Sequence, residues 1–352
     1  MTTLRGCAGT PRATLRKGRR EVLAWLGGLG LGGPLLAPRG AWAQPGPALP
    51  VIGYLGPESP EPFASRLAAF REGLAEAGLA EGRDAAIAFR WAEGRYERLP
   101  GLACQLVESR VAVLAAPGGA PVALAAKAAV AAAGAAIPIV FEMGGDPVAL
   151  GIVQDLARPR GNVTGVSSLS VEVSRKRLEF LHDAVPAATT FGVAFNPASP
   201  TAPAQLRSLH EAAETLGVQL RTAPVGGEAD FEPIVADAAA RRHGGLVFTS
   251  DPYFALRSRR LADLALRHAL PAVTQTRDFP LAGGLMSYGG DFTQTHRLAG
   301  LYAGRILKGE RPADLPVQLV TKVELFVNLK AAASLGVSVP PALLSAADTV
   351  IE

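Results

Sequence analysis

The chain has 352 residues, 49% of them hydrophobic, 6% aromatic and 19% charged, with 39 glycines and 28 prolines. That much apolar material fills one large core or two ordinary ones, and it excludes disorder, which needs low hydrophobicity and high net charge. Two cysteines, Cys7 and Cys104, exclude a disulfide scaffold, and the formal net charge of +4 invites an acidic partner until its distribution is considered.

Residues 1–43 read as an export leader. Arg5, Arg12, Arg16, Lys17, Arg19 and Arg20 form a basic stretch, Val22 to Ala37 an apolar one, and Ala41-Trp42-Ala43 a small-residue exit. The apolar stretch falls short of the roughly 20 residues a bilayer span needs, and the later run 121–140 is broken by Lys127, Gly134 and Pro138. Cleavage after Ala43, no membrane anchor and a periplasmic location are therefore expected. Arg19-Arg20 before Glu21-Val22-Leu23 resembles the twin-arginine signal for exporting folded proteins, with an ordinary secretory signal as the alternative. Cys7 lies ahead of the apolar stretch, where lipidation has no place. The leader holds seven of the 35 bases and one of the 31 acids, which leaves 28 against 30 and a charge of −2 beyond it. No nucleic-acid partner is expected. Gly28, Gly30 and Gly33 match a dinucleotide fingerprint, but inside the leader they lack the strand and helix that give it meaning.

From Pro50 onward short β-rich runs alternate with helix-period runs, the mark of parallel α/β sheets. Strands are predicted at 51–55, 86–91, 111–115 and 137–142. Between them lie helices around Leu67 to Ala77, over Leu99 to Ser109 with Pro100 near its start, and over an alanine-rich run ending near Gly134. Cys104 falls in the second helix as a small core residue. The pattern then restarts: strands at 162–167, 190–195, 218–222, 246–249, 272–275 and 285–288, with helices at 173–183, 205–216, 231–242, 256–268 and 296–307. An extended stretch at 316–327 and a helix at 329–335 close the chain. Two successive series of similar length predict two open-sheet lobes. In such sheets ligands lie beyond the carboxyl ends of the strands.

The loops there are rich in Gly, Pro, Asn, Asp and Ser and poor in catalytic groups. The histidines, His182, His210, His243, His268 and His296, are scattered and form no metal-ligand spacing, so no metal or cofactor is expected. Recognition chemistry is what these loops offer. Gly118 and Gly119 stand directly before a helix, where backbone N–H groups and the helix dipole can hold an anion. Glu58, Ser59 and Asn196 can supply polar contacts, and Asp146 and Asp251 can pair with a ligand ammonium. Tyr253, Phe254, Tyr288 and Trp91 follow or end strands and can stack on an apolar ligand part. Turn formation and core packing are the competing accounts of these aspartates and aromatics.

At this point the mature chain resembles the periplasmic substrate-binding proteins of ABC importers, in the branch related to the tryptophan/tyrosine-binding family. The resemblance rests on Val51-Ile52-Gly53-Tyr54-Leu55, Phe89-Arg90-Trp91-Ala92-Glu93-Gly94 with Tyr96, Gly145-Asp146-Pro147-Val148, Arg158 to Val166, Gly284 to Gly289, Tyr302 to Gly309 and Pro312 to Gln318. It implies the type I periplasmic binding fold, two Rossmann-like parallel-sheet lobes joined by three crossovers near 164–168, 282–286 and 317–321. Lobe 1 is then 50–165 plus 285–317, and lobe 2 is 166–284 plus 318–352. The implied function is capture of an amino acid or small aromatic carboxylate by hinge closure, as a monomer, for an ABC permease and its ATPase. An exported sensor of the same fold is the alternative, and an exported hydrolase using Asp146 and Asp251 a further one.

Overall fold

The computed structural model describes residues 49–168 and 170–352. The expected leader, its expected cleavage site after Ala43 and the pair Arg19-Arg20 lie outside the described residues.

In chain order the first half runs β1 (Val51–Gly56), α1 (Ala64–Glu76), β2 (Ala86–Trp91), α2 (Leu99–Glu108), β3 (Val113–Pro117), α3 (Ala120–Ala132), β4 (Ile139–Met143) and β5 (Val163–Ser168). There follow α4 (Ser174–Ala184), β6 (Thr190–Phe195), α5 (Ala202–Leu216), β7 (Gln219–Pro224), α6 (Phe231–Ala240), β8 (Leu246–Phe248), α7 (Pro252–Ala255), α8 (Ser258–Arg267), β9 (Ala272–Thr274), α9 (Asp278–Leu281) and β10 (Met286–Gly290). The chain ends with α10 (Phe292–Leu307), β11 (Gln318–Val320), β12 (Val323–Asn328), α11 (Leu329–Leu335), α12 (Pro341–Ala346) and β13 (Thr349–Ile351).

These strands form two sheets, ordered β11-β5-β4-β3-β1-β2 and β13-β12-β10-β9-β8-β6-β7. All pairs are parallel except β10 with β12. The expected two-lobe α/β architecture is what the chain adopts. Each sheet is apolar on both faces, because successive residues of a strand point to opposite sides and helices cover both. In β3, Val113 and Ala115 enter one cluster with Tyr54, Phe70 and Tyr302, while Leu114 and Ala116 enter another with Leu106, Val122 and Phe141. Cys104 packs half-buried against the latter. The second sheet divides likewise, with Val193, Val247 and Val273 on one face and Ala194, Leu246 and Phe248 on the other.

The crossings fall later than expected. All of β5 pairs within the first sheet, so the first crossing follows Ser168. β10 pairs with β9 and β12 in the second sheet, so the chain returns to the first lobe only at α10. The stretch 316–327 is not one strand. β11 completes the first sheet and β12 enters the second. Beyond α11 the chain continues through α12 and β13, which were not anticipated. α10 is held to α1 by close backbone approach: a Cβ on Gly73 would lie 1.8 Å from the Arg297 carbonyl oxygen, and one on Gly300 would lie 2.0 Å from that of Phe70. Among the described residues no helix is long and apolar enough to cross a membrane.

Candidate ligand-binding cleft

The carboxyl ends of both sheets face one cavity. From the first lobe come Arg66, Gly118, Gly119, Glu142 and, on α10, Phe292; from the second come Ser199, Thr201, Ser250, Asp251 and Gln275. Gly118 (φ +120°) and Gly119 (φ +96°) occupy backbone conformations that favour glycine, and Gly119 approaches the other lobe, where its Cβ would lie 3.2 Å from Pro252 Cγ.

Asp251 is the central group. It is 1% exposed and caps α7, where its Oδ1 accepts from the Tyr253 N–H at 2.9 Å. The same oxygen accepts from the Tyr96 hydroxyl of the first lobe at 2.7 Å and from Asn196 Nδ2 at 3.4 Å. The Ser199 hydroxyl favours the charged form but is paired with Thr201 at 3.2 Å, and Asp251 Oδ2 has no hydrogen-bond partner. Burial pushes this carboxyl up, against the pull of those donors. The loop carrying it is fixed from below by Gln205, fully buried, which donates to the Ser250 carbonyl (2.9 Å) and to Thr201 Oγ1 (3.1 Å) and accepts from the Ser250 N–H (2.5 Å).

Glu142 stands near the end of β4, 2% exposed. Its Oε2 accepts from the Gly118 N–H (3.1 Å) and its Oε1 from the Thr295 hydroxyl (3.0 Å), and burial raises its carboxyl. Its main-chain oxygen accepts from the Gly119 N–H at 2.9 Å. The two N–H groups expected to hold a ligand anion are therefore already taken within the protein.

The lobes also meet through Glu58 and Arg257. The guanidinium Nη1 lies 3.4 Å from both carboxylate oxygens, while Arg257 lies over the Tyr253 ring at 3.8 Å and donates to Glu228 at 2.9 Å. Burial pushes the Glu58 carboxyl up to about 7, with Arg257 pulling it down.

Of the expected site residues, Gly118, Gly119 and Asp251 line the cavity. Asn196 and Tyr253 hold Asp251, and Glu58 serves the contact between lobes. Ser59 is half-buried outside the cavity lining. Asp146 is exposed, and its Oδ1 is occupied by the N–H groups of Val148 (2.8 Å) and Ala149 (3.2 Å), which is turn chemistry. Tyr288 packs edge-on against Phe180 at 5.0 Å in the second core, Trp91 stacks on Phe89 at 5.9 Å, and Phe254 packs on Phe248 at 5.5 Å. None of the three lines the cavity. Sequence reasoning missed Arg66, Ser199, Thr201, Ser250, Gln275 and Tyr96 as site residues. Ser250 and Gln275 lie at strand ends and were findable there, whereas Arg66 sits within a helix pattern that gives no signal.

A family model described as ABC transporter substrate binding protein matches residues 63–351. The chain belongs to this family. A tyrosine-binding protein of Clostridioides difficile (strain R20291) is 25% identical over 193 residues, so the match spans about half of each chain: 54% of this one and 55% of the relative. Among solved structures, a domain from Streptococcus pneumoniae in complex with L-Trp has a TM-score of 0.76 at 24% identity, covering 86% of this chain and 100% of that one. A conserved domain protein from Vibrio cholerae O1 biovar eltor reaches 0.77 at 25% identity, with the same coverage.

Proposed function

We propose that this substrate-binding protein works in the periplasm as the solute-capturing component of an ABC importer. It closes two lobes over one small solute bearing an ammonium group, an amino acid, and hands it unaltered to a permease driven by its ATPase. The lobes of this reading are residues 49–168 with 292–320, and 170–291 with 321–352. The observation that carries it is the divided state of Asp251, a residue that lines the cavity: one oxygen is tied to Tyr96 of the opposite lobe, and the other is buried without a hydrogen-bond partner. A buried carboxylate oxygen left bare costs free energy that a ligand ammonium recovers. The L-Trp complex and the tyrosine-binding relative agree with an amino acid, although the aromatic platforms expected here are core residues.

The test is a thermal-shift screen of the purified protein against the twenty amino acids and small aromatic acids, with recovered ligand checked by NMR for alteration. A ligand at a hundred times its Kd stabilises by about 2.7 kcal/mol. Asp251→Asn is expected to abolish the shift and Asp146→Ala to leave it intact. The reverse pattern, or an altered ligand, defeats the proposal.

A further inference from the structure

Arg66, on the first turn of α1, is 7% exposed, yet none of its N–H groups has a hydrogen-bond partner among the described residues. Its guanidinium lies 4.9 Å from the ring centre of Phe63 and 5.0 Å from that of Phe292. Its one ion-pair contact is with Asp278 of the second lobe at 4.0 Å, beyond hydrogen-bond reach, and that carboxylate is itself largely exposed. A buried arginine ordinarily satisfies its five donors on carbonyls and carboxylates. Arg177 uses all three of its nitrogens this way, donating to the Tyr288 carbonyl at 2.7 Å, the Ser170 carbonyl at 2.5 Å and the Ser174 hydroxyl at 3.2 Å.

Position explains the difference. Arg66 lines the cavity that holds Asp251 and also an adjoining chamber at the ends of β9 and β10; Gln275 and Phe292 are the other residues the two spaces share, and on its outer side Arg66 borders a third space beside Ser65 and Asp278. A fork of donors held by two rings at the junction of these solvent spaces is pre-arranged for a planar anion. The helix terminus at Gly118 and Gly119, the other candidate for that role, has spent those two N–H groups on Glu142.

We infer that Arg66 is the carboxylate-recognition residue of the cleft. With Asp251 taking the ammonium, it makes the cleft selective for zwitterionic amino acids over amines and over neutral solutes. This rests on the capture reading above and adds the determinant of its substrate class.

The experiment is isothermal calorimetry of wild type, Arg66→Met and Arg66→Lys with the twenty L-amino acids and their carboxamides, which keep the ammonium and lose the carboxylate. For the amino acid that wild type binds best, the carboxamide is expected to bind about 100-fold more weakly, equivalent to about 2.7 kcal/mol. Arg66→Met should bind the acid about 100-fold more weakly and treat acid and carboxamide alike. Arg66→Lys, which keeps charge without the fork, should lose about 10-fold. The melting temperature of ligand-free Arg66→Met should not fall, since the substitution removes a buried charge without hydrogen bonds; a merely structural arginine would lower it. Equal affinity of wild type for acid and carboxamide, or undiminished discrimination in Arg66→Met, overturns the role of Arg66 and leaves the capture reading standing. Failure of wild type to bind any amino acid overturns both.

Discussion

Tyr96→Phe tests whether the two halves part. The substitution removes one oxygen, the donor that reaches Asp251 Oδ1 across the cleft at 2.7 Å, and keeps a ring that packs beside an apolar cluster of each lobe. A hydrogen bond to a charged acceptor contributes about 1.5–3 kcal/mol, a factor of about 10 to 150 in an equilibrium constant. If the ligand-free protein opens, water replaces the tyrosine hydroxyl there and the loss falls on the closed form alone. Calorimetry with the best-binding amino acid should then show the Kd raised by that factor, and small-angle scattering should show less contraction on ligand addition. If the halves stay together with or without ligand, the loss is the same in both states and cancels from Kd, appearing only as a lower melting temperature. An unchanged Kd with a lowered melting temperature would refute hinge closure as reasoned here.

The Glu58–Arg257 contact carries a pH dependence. The Glu58 carboxyl rises from 4.5 to about 7 in the buried arrangement, which therefore binds its proton more readily than a form in which Glu58 is solvated. The advantage of the closed form is full below about 4.5 and is lost as pH rises through about 7. Scattering between these limits should show the ligand-free protein opening as pH rises, and Glu58→Gln should flatten the profile; a profile that persists in the variant rules out Glu58 as its source. Gly300→Ala would drive a methyl group to 2.0 Å from the Phe70 carbonyl oxygen between α1 and α10. Urea unfolding should show a loss of about 1–3 kcal/mol or more, and an unshifted midpoint would mean that these helices do not pack so closely.

The alternation of strands with amphipathic helices was legible because most strands from β1 to β9 are short apolar runs bounded by turn residues, the polar and largely exposed edge strand β7 apart. Which sheet a strand joins was not. Pro316 to Val327 reads as one extended stretch, and nothing in its period records that Val320 pairs in the first sheet and Val323 in the second. α10 starts earlier than its apolar period suggests, because Asp291 accepts from the N–H groups of Thr293 and Gln294 and so fixes the first turn. At the cavity, the rule that ligands lie beyond strand ends picked out Gly118, Gly119 and Asp251 from its lining. It also picked Asp146, which has the same Asp-Pro sequence as Asp251 but faces solvent. The aromatic residues after strands were equally ambiguous: Tyr288 and Phe254 have the same local signature as a stacking platform, and only the neighbouring helices place them in cores.

Burial alone separates none of these polar side chains, since Gln205, Arg177, Asp251 and Arg66 are all at least nine-tenths buried. What divides them is how completely they are paired. Gln205 and Arg177 meet carbonyls, hydroxyls and an N–H on the chain's own loops, so their burial costs little and their role is to hold the crossing and the Ser250 turn in place. Asp251 keeps one bare oxygen, Arg66 turns donors that meet no protein acceptor toward solvent, and both line the same cavity. The Tyr54 hydroxyl and His296 Nε2 also lack partners but line neither chamber, and burial keeps His296 neutral by pulling its pKa down to about 3. A chain under selection for stability alone would replace a half-paired carboxylate and an unpaired guanidinium with apolar side chains of similar volume, usually at no loss. Keeping an incompletely paired group of each sign in a single solvent space makes sense when a third body, carrying the complementary charges, spends part of its time there.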